Sequence, residues 1–133
     1  MIHRINKERI SWELIIPFLH RLHADAKAWK EQLENTSITI NTWRILTKRD
    51  DYENHKNNLN DFKNSYGAWF QTVFPDWYDA LDGAITSLGN IITHIDGYVA
   101  SNYTDAETGE PILVNISQAH RNLLASDISA ELE

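Results

Sequence analysis

His20 and His23 stand three residues apart, a spacing that puts both imidazoles on one flank of a helix, where they could supply two ligands of a zinc or nickel site. A third ligand would have to come from His55, His94 or His120, and no motif brings any of these close. The two histidines also border Leu19 and Leu22, the ordinary setting of boundary histidines on an amphipathic helix, and that reading takes precedence. Asp76, Asp79 and Asp82, with Trp77 and Tyr78 interleaved, form a second group that could hold a cation or exchange protons. Compensation of a helix dipole at its N-terminus accounts for the same acids. The Asp105 to Glu110 turn lacks the ligand spacing of an EF-hand.

The motifs that carry most known catalysis are absent. The chain has no cysteine, which removes thiolate nucleophiles, disulfides and Cys-ligated metals. It holds no Glu-x-x-His pair of the kind di-iron bundles use, no phosphate-binding glycine loop, no dinucleotide fingerprint, no His-Glu-x-x-His helix and no Gly-x-Ser-x-Gly elbow. A non-enzymatic protein with no cofactor is therefore expected. The alternative within catalysis is a helical-bundle enzyme dependent on a metal held by His20 and His23.

The elements that would position these side chains follow from apolar spacing. Trp12, Ile15, Leu19, Leu22, Ala26, Trp29 and Leu33 recur at alternating intervals of three and four, one apolar seam on a helix from Glu8 or Ser11 to Asn35. A second seam runs from Ile45 through Tyr52, Leu59, Tyr66 and Val73 with Phe62 and Trp69 between them. Asp50-x-x-Glu53 reads as a capping box, which places the main second helix from near Asp50 to near Gln71. Phe74-Pro75-Asp76 demands a turn or sharp kink. A third helix carries Leu81, Ala84, Leu88, Ile91, Ile95 and Tyr98, and Gly83, Gly89 and Gly97 weaken it unless they admit another backbone. Residues 101–114 read as a short hairpin or irregular loop, and a last helix from about Ser117 to Leu132 buries Ile116, Ala119, Leu123 or Leu124, and Ile128. The expected fold is one all-α domain over 1–133: an antiparallel bundle of three long helices plus a shorter C-terminal one.

Charge divides along this chain. Residues 1–49 hold nine Lys/Arg against five Asp/Glu, and no Lys or Arg occurs between Asn64 and His120. Either the basic part lies beside the acidic helices of its own chain, or the basic end of one copy meets the acidic end of another. A basic set of Arg4, Lys7, Arg9, Arg44, Lys48 and Arg49 on a chain of net charge −7 is too modest to expect nucleic-acid binding. The longest early apolar run, Leu14 to Leu19, is interrupted by Pro17, so neither a signal peptide nor a membrane span is expected. An intracellular protein, cytoplasmic or in an assembled particle, fits this pattern.

Aromatic residues near element ends are candidate anchors of a protein interface. Trp43, Trp77, Tyr78 and Tyr103, joined by Arg44, Lys48, Arg49, Asp76 and Asp79, make up the expected interface set. The expected role is a structural or assembly subunit that joins copies of itself or other subunits, such as a component of a viral or phage particle. A small acidic inhibitor of a host or nucleic-acid-handling protein is the alternative outside catalysis. Small-molecule ligands are not expected.

Overall fold

The computed structural model describes residues 15–132. Four helices account for most of them: α1 (Ile16–Glu34), α2 (Thr42–Val73), α3 (Pro75–Asn102) and α4 (Gln118–Glu131). The sequence positions that precede Ile15, including Trp12, the expected helix start at Glu8 or Ser11, and Arg4, Lys7 and Arg9, lie outside the described residues.

Successive helices run in opposite directions. Lys48 of α2 reaches Asp25 of α1 while His55, further along α2, meets Phe18, earlier in α1. Arg49 pairs with Asp96 and Lys63 with Asp82, so α3 reverses α2. Asn90 bonds Glu131 and His94 faces Asp127, so α4 reverses α3. This up-down-up-down arrangement is the expected antiparallel bundle. α2 packs chiefly on α3 and α1 chiefly on α4, while α1 touches α3 only lightly.

The core follows the seams read from spacing, except that Val73 is exposed and Tyr66, Trp69, Ala84 and Tyr98 are only half-buried. Ile15, Leu19, Leu22, Ala26, Trp29 and Leu33 are all buried, as are Ile45, Tyr52, Leu59 and Phe62 of α2 and Leu81, Leu88, Ile91 and Ile95 of α3. The asparagines of α2 that disfavour helix fall mostly on its exposed side, at Asn54, Asn57, Asn58 and Asn64. Burial of the opposite side holds the helix against their weak propensity. Toward the α2–α3 turn the packing becomes aromatic, with Phe62 edge-on to Phe70 and Phe74 edge-on to Trp69 at centroid distances of 5.3 and 6.0 Å. Phe74 alone separates α2 from α3, and Pro75 opens α3 where its missing amide is no loss.

Four local expectations need correction. α2 begins eight residues before Asp50, because the Asn41 side chain accepts the Arg44 amide at 2.8 Å and caps the helix there. Asp50 and Glu53 are not a capping box: both bind Arg49 in the middle of the helix. Nor do the glycines of α3 admit another backbone, since a Cβ would meet open space at Gly83 and Gly97 and only the Lys56 ammonium, at 3.1 Å, at Gly89. In α4 the buried positions are Arg121, Leu124, Ala125 and Ile128, while Ala119 and Leu123 face outward.

Tyr52 is fully buried between the seams, and its hydroxyl finds no hydrogen-bond partner among the described residues. Burial, then the charges of Asp25 and Asp51, push its phenol well above the usual value. In the unfolded chain the phenol ionises near pH 10 while the buried one keeps its proton, so the unfolded state binds fewer protons there and stability falls as pH rises. Tyr52→Phe is expected to raise stability by about 1 kcal/mol at neutral pH, by removing an unpaired buried hydroxyl, and to flatten part of the decline above pH 10. Urea midpoints of both proteins at pH 8 and pH 10.5 check this.

Candidate functional site

At one end of the bundle, here called the loop pole, the C-terminal end of α1, the start of α2, residues 103–117 and the start of α4 converge. Helix ends leave carbonyls short of donors, and here side chains of α4 supply them beside two long backbone bonds, from Asn35 to Gln32 at 3.2 Å and from Ile38 to Asn35 at 3.5 Å. The Arg121 guanidinium is 3% exposed and donates to the carbonyls of Gln32, Asn35 and Ile38 at 2.8 to 2.9 Å. Gln118 donates to the Leu33 carbonyl at 3.0 Å. Among the described residues no carboxylate pairs with Arg121, and burial lowers its pKa.

Thr42 fixes the long loop to the start of α2. Its hydroxyl donates to the Ile112 carbonyl at 2.5 Å and accepts from the Val114 amide at 3.3 Å, while its own amide donates to the Val114 carbonyl at 2.9 Å. Tyr103 anchors the other side: it is buried, and its hydroxyl accepts the Ser117 amide at 3.0 Å and lies 2.6 Å from His120 Nδ1. Between these anchors the chain closes a tight acidic turn. Asp105 accepts the amides of Glu107 and Thr108, and Gly109 takes a φ of 73°, a left-handed conformation that suits glycine.

This anchoring leaves apolar side chains in solvent. Trp43 is 57% exposed and Leu113 60%, and Ile38, Ile112 and Val114 are each 39% exposed. Together they offer on the order of a few hundred Å² of apolar surface at one pole, the size of the largest patch on a typical monomer, which is often functional.

The structure divides the expected interface set between the two ends of the bundle. Trp43, Arg44 and Tyr103 belong to the loop pole, with Tyr103 an internal anchor rather than an exposed one. Arg44 is held at Gln32 and over the Trp29 ring. Trp77, Tyr78, Asp76 and Asp79 belong to the α2–α3 turn, with the two aromatics half-buried and the two acids exposed. Lys48 and Arg49 lie between and are paired within the chain, Lys48 with Asp25 at 2.7 Å and Arg49 with Asp96, Asp50 and Glu53. The bond from Asp96 is the largest of the influences that raise the Arg49 pKa. Asp82 likewise serves α2, bonding Lys63 at 2.5 Å and raising its pKa. Much of the basic charge of α2 thus meets acids of α1 and α3 in its own chain.

His20 and His23 border an open cavity of about 400 Å³ between α1, α3 and the end of α4, with Leu19, Leu88 and Ile91 among its apolar walls. His20 sets its ring edge-on to Trp77 at 5.5 Å, and His23 Nε2 lies 3.3 Å from the Leu132 carbonyl. Among the described residues no three His, Asp or Glu side chains gather where they could hold a metal ion. No helix among them is long and apolar enough to cross a membrane.

Sequence reasoning did not single out Ile38, Ile112, Leu113 and Val114 as interface residues. The available signal was the apolar run Ile112-Leu113-Val114 set between Pro111 and Asn115 in an otherwise polar loop. The architecture defines the class of protein, a four-helix antiparallel bundle. Comparisons with protein-family models, with curated proteins and with solved structures find no match for this chain.

Proposed function

We propose that this protein is a non-enzymatic assembly subunit that docks a protein partner at its loop pole. The observation that supports this reading is the apolar surface there, with Trp43 and Leu113 more than half exposed on a scaffold fixed by Arg121 and Thr42. A large rigid aromatic beside aliphatic side chains is the composition of an interface centre. An assembled particle, viral or phage, is one setting that such a subunit suits.

Hydrogen exchange tests the reading. The amides of Leu113 and Asn115 are expected to exchange at least tenfold more slowly in the assembly recovered from the native source than in the dilute protein. Unchanged exchange at the loop pole within that assembly, or recovery of the monomer alone, overturns it.

A further inference from the structure

The backbone of residues 110–116 bonds on one edge only. On the inner edge the Glu110 carbonyl accepts the Asp105 amide, the Ile112 amide donates to Tyr103, and the Ile116 amide donates to Ile40, all at 2.8 Å. Thr42 engages the Ile112 carbonyl and both backbone groups of Val114, as described above. Every even-numbered residue of the segment is therefore tied inward. The Pro111 carbonyl and the amides and carbonyls of Leu113 and Asn115 have no partner among the described residues, and all three residues are exposed. Alternation of this kind is an open β-edge, the feature that recruits another extended chain.

Resting on the docking reading above, we propose that this edge pairs with the same edge of a second copy, antiparallel about a two-fold axis through Leu113. The segment is self-complementary in that arrangement. Leu113 exchanges both backbone bonds with the partner's Leu113, and the Pro111 carbonyl receives the partner's Asn115 amide. Pro111 has no amide to offer, so the ladder ends there.

Charge favours a second copy as the occupant. Antiparallel pairing carries the acidic turn of Asp105, Glu107 and Glu110 past residue 115 of the other chain, toward the start of its α4. The first turn of α4 holds no acid, and a helix N-terminus with His120 nearby attracts carboxylates. The apolar side chains of Ile112, Leu113 and Val114 from both copies then gather about the axis. An isologous contact of this kind closes on itself as a dimer.

The chain has no cysteine, so Leu113→Cys introduces a unique thiol. Paired Cα atoms in this register stand about 5.5 Å apart, within reach of a disulfide. Under mild oxidation Leu113→Cys is expected to form a covalent dimer at least tenfold faster than Gln71→Cys, an exposed position at the far end of α2. Sedimentation of the wild type is expected to shift from monomer to dimer with rising concentration. Leu113→Pro, which removes the outward amide, stays monomeric with an unchanged far-UV spectrum and melting temperature. Equal oxidation rates at the two positions, or a wild type that remains monomeric throughout, overturn the pairing. If Leu113→Cys fails to cross-link while residues 111–115 are still protected in the native assembly, the two-fold pairing falls and the docking reading stands. If the purified dimer protects the Leu113 and Asn115 amides while the native assembly leaves them unprotected, the pairing stands and the docking reading falls.

Discussion

Arg121→Ala is expected to lower the unfolding free energy by about 3 kcal/mol, because the change leaves the Ile38 carbonyl without a donor and the carbonyls of Gln32 and Asn35 with only their long backbone bonds from Asn35 and Ile38. The guanidinium fork spans Gln32, Asn35 and Ile38 from one residue of α4. Lysine cannot reproduce that span with one ammonium, so Arg121→Lys is expected to retain little of the stability. Arg121→Met keeps much of the volume and avoids burying a cation, and it should be milder than alanine. Urea midpoints order these variants. Hydrogen exchange should show the loss first at the amides of Ile38 and Ile116, which bond the carbonyls of Asn35 and Ile40 in the segment that follows α1. A midpoint for Arg121→Ala within measurement error of the wild type would show that water replaces the guanidinium freely.

Trp29→Ala is expected to cost about 4 kcal/mol, the range for truncating a large buried aromatic. Trp29 is 2% exposed, and both Arg44 and Lys48 of α2 stand over its ring, at 5.6 and 5.8 Å from the centroid. The main association of α1 is with α4, so its hold on α2 depends heavily on long side chains such as these. Removing the indole therefore takes away core volume and the seat of two cations together. Trp29→Phe keeps a ring for them and is expected to cost about 1 to 2 kcal/mol. Thermal and urea unfolding check both, and a loss below 1 kcal/mol for the alanine variant would contradict this account of the α1–α2 junction.

These two residues mark what was legible in the sequence and what was not. Trp29 was visible because it repeats with Leu22, Ala26 and Leu33 at helical intervals, and periodicity reports burial directly. Pro75 was visible because a residue without an amide donor breaks a helix interior and is tolerated only in a first turn. Arg121 was not, because a charged residue on a short helix reads as solvent-facing until the carbonyls it satisfies, more than eighty positions away, are brought beside it. The start of α2 was misplaced because two acids spaced like a cap are equally well spaced to hold one arginine, and only the fold shows Arg49 between them.

The candidate site shows the same limit more strongly. Trp43 was singled out as an aromatic near a helix end, a local property. Leu113 owes its exposure to Thr42, seventy-one positions earlier, whose hydroxyl and amide turn the residues on either side of it inward. Composition alone could not distinguish that outward leucine from a core residue of a hairpin. The division of charge was plain in the sequence, and the structure answers part of it, since Lys48, Arg49 and Lys63 meet acids of their own chain.

The proposed docking surface is the loop pole rather than the α2–α3 turn. Amide hydrogen exchange compared between the dilute protein and the assembly from its native source separates the two. Exchange at Leu113 and Asn115 is expected to be at least tenfold slower in the assembly, with Asp76 to Tyr78 unchanged. Protection confined to the α2–α3 turn, with Leu113 exchanging at the same rate in both states, would contradict it.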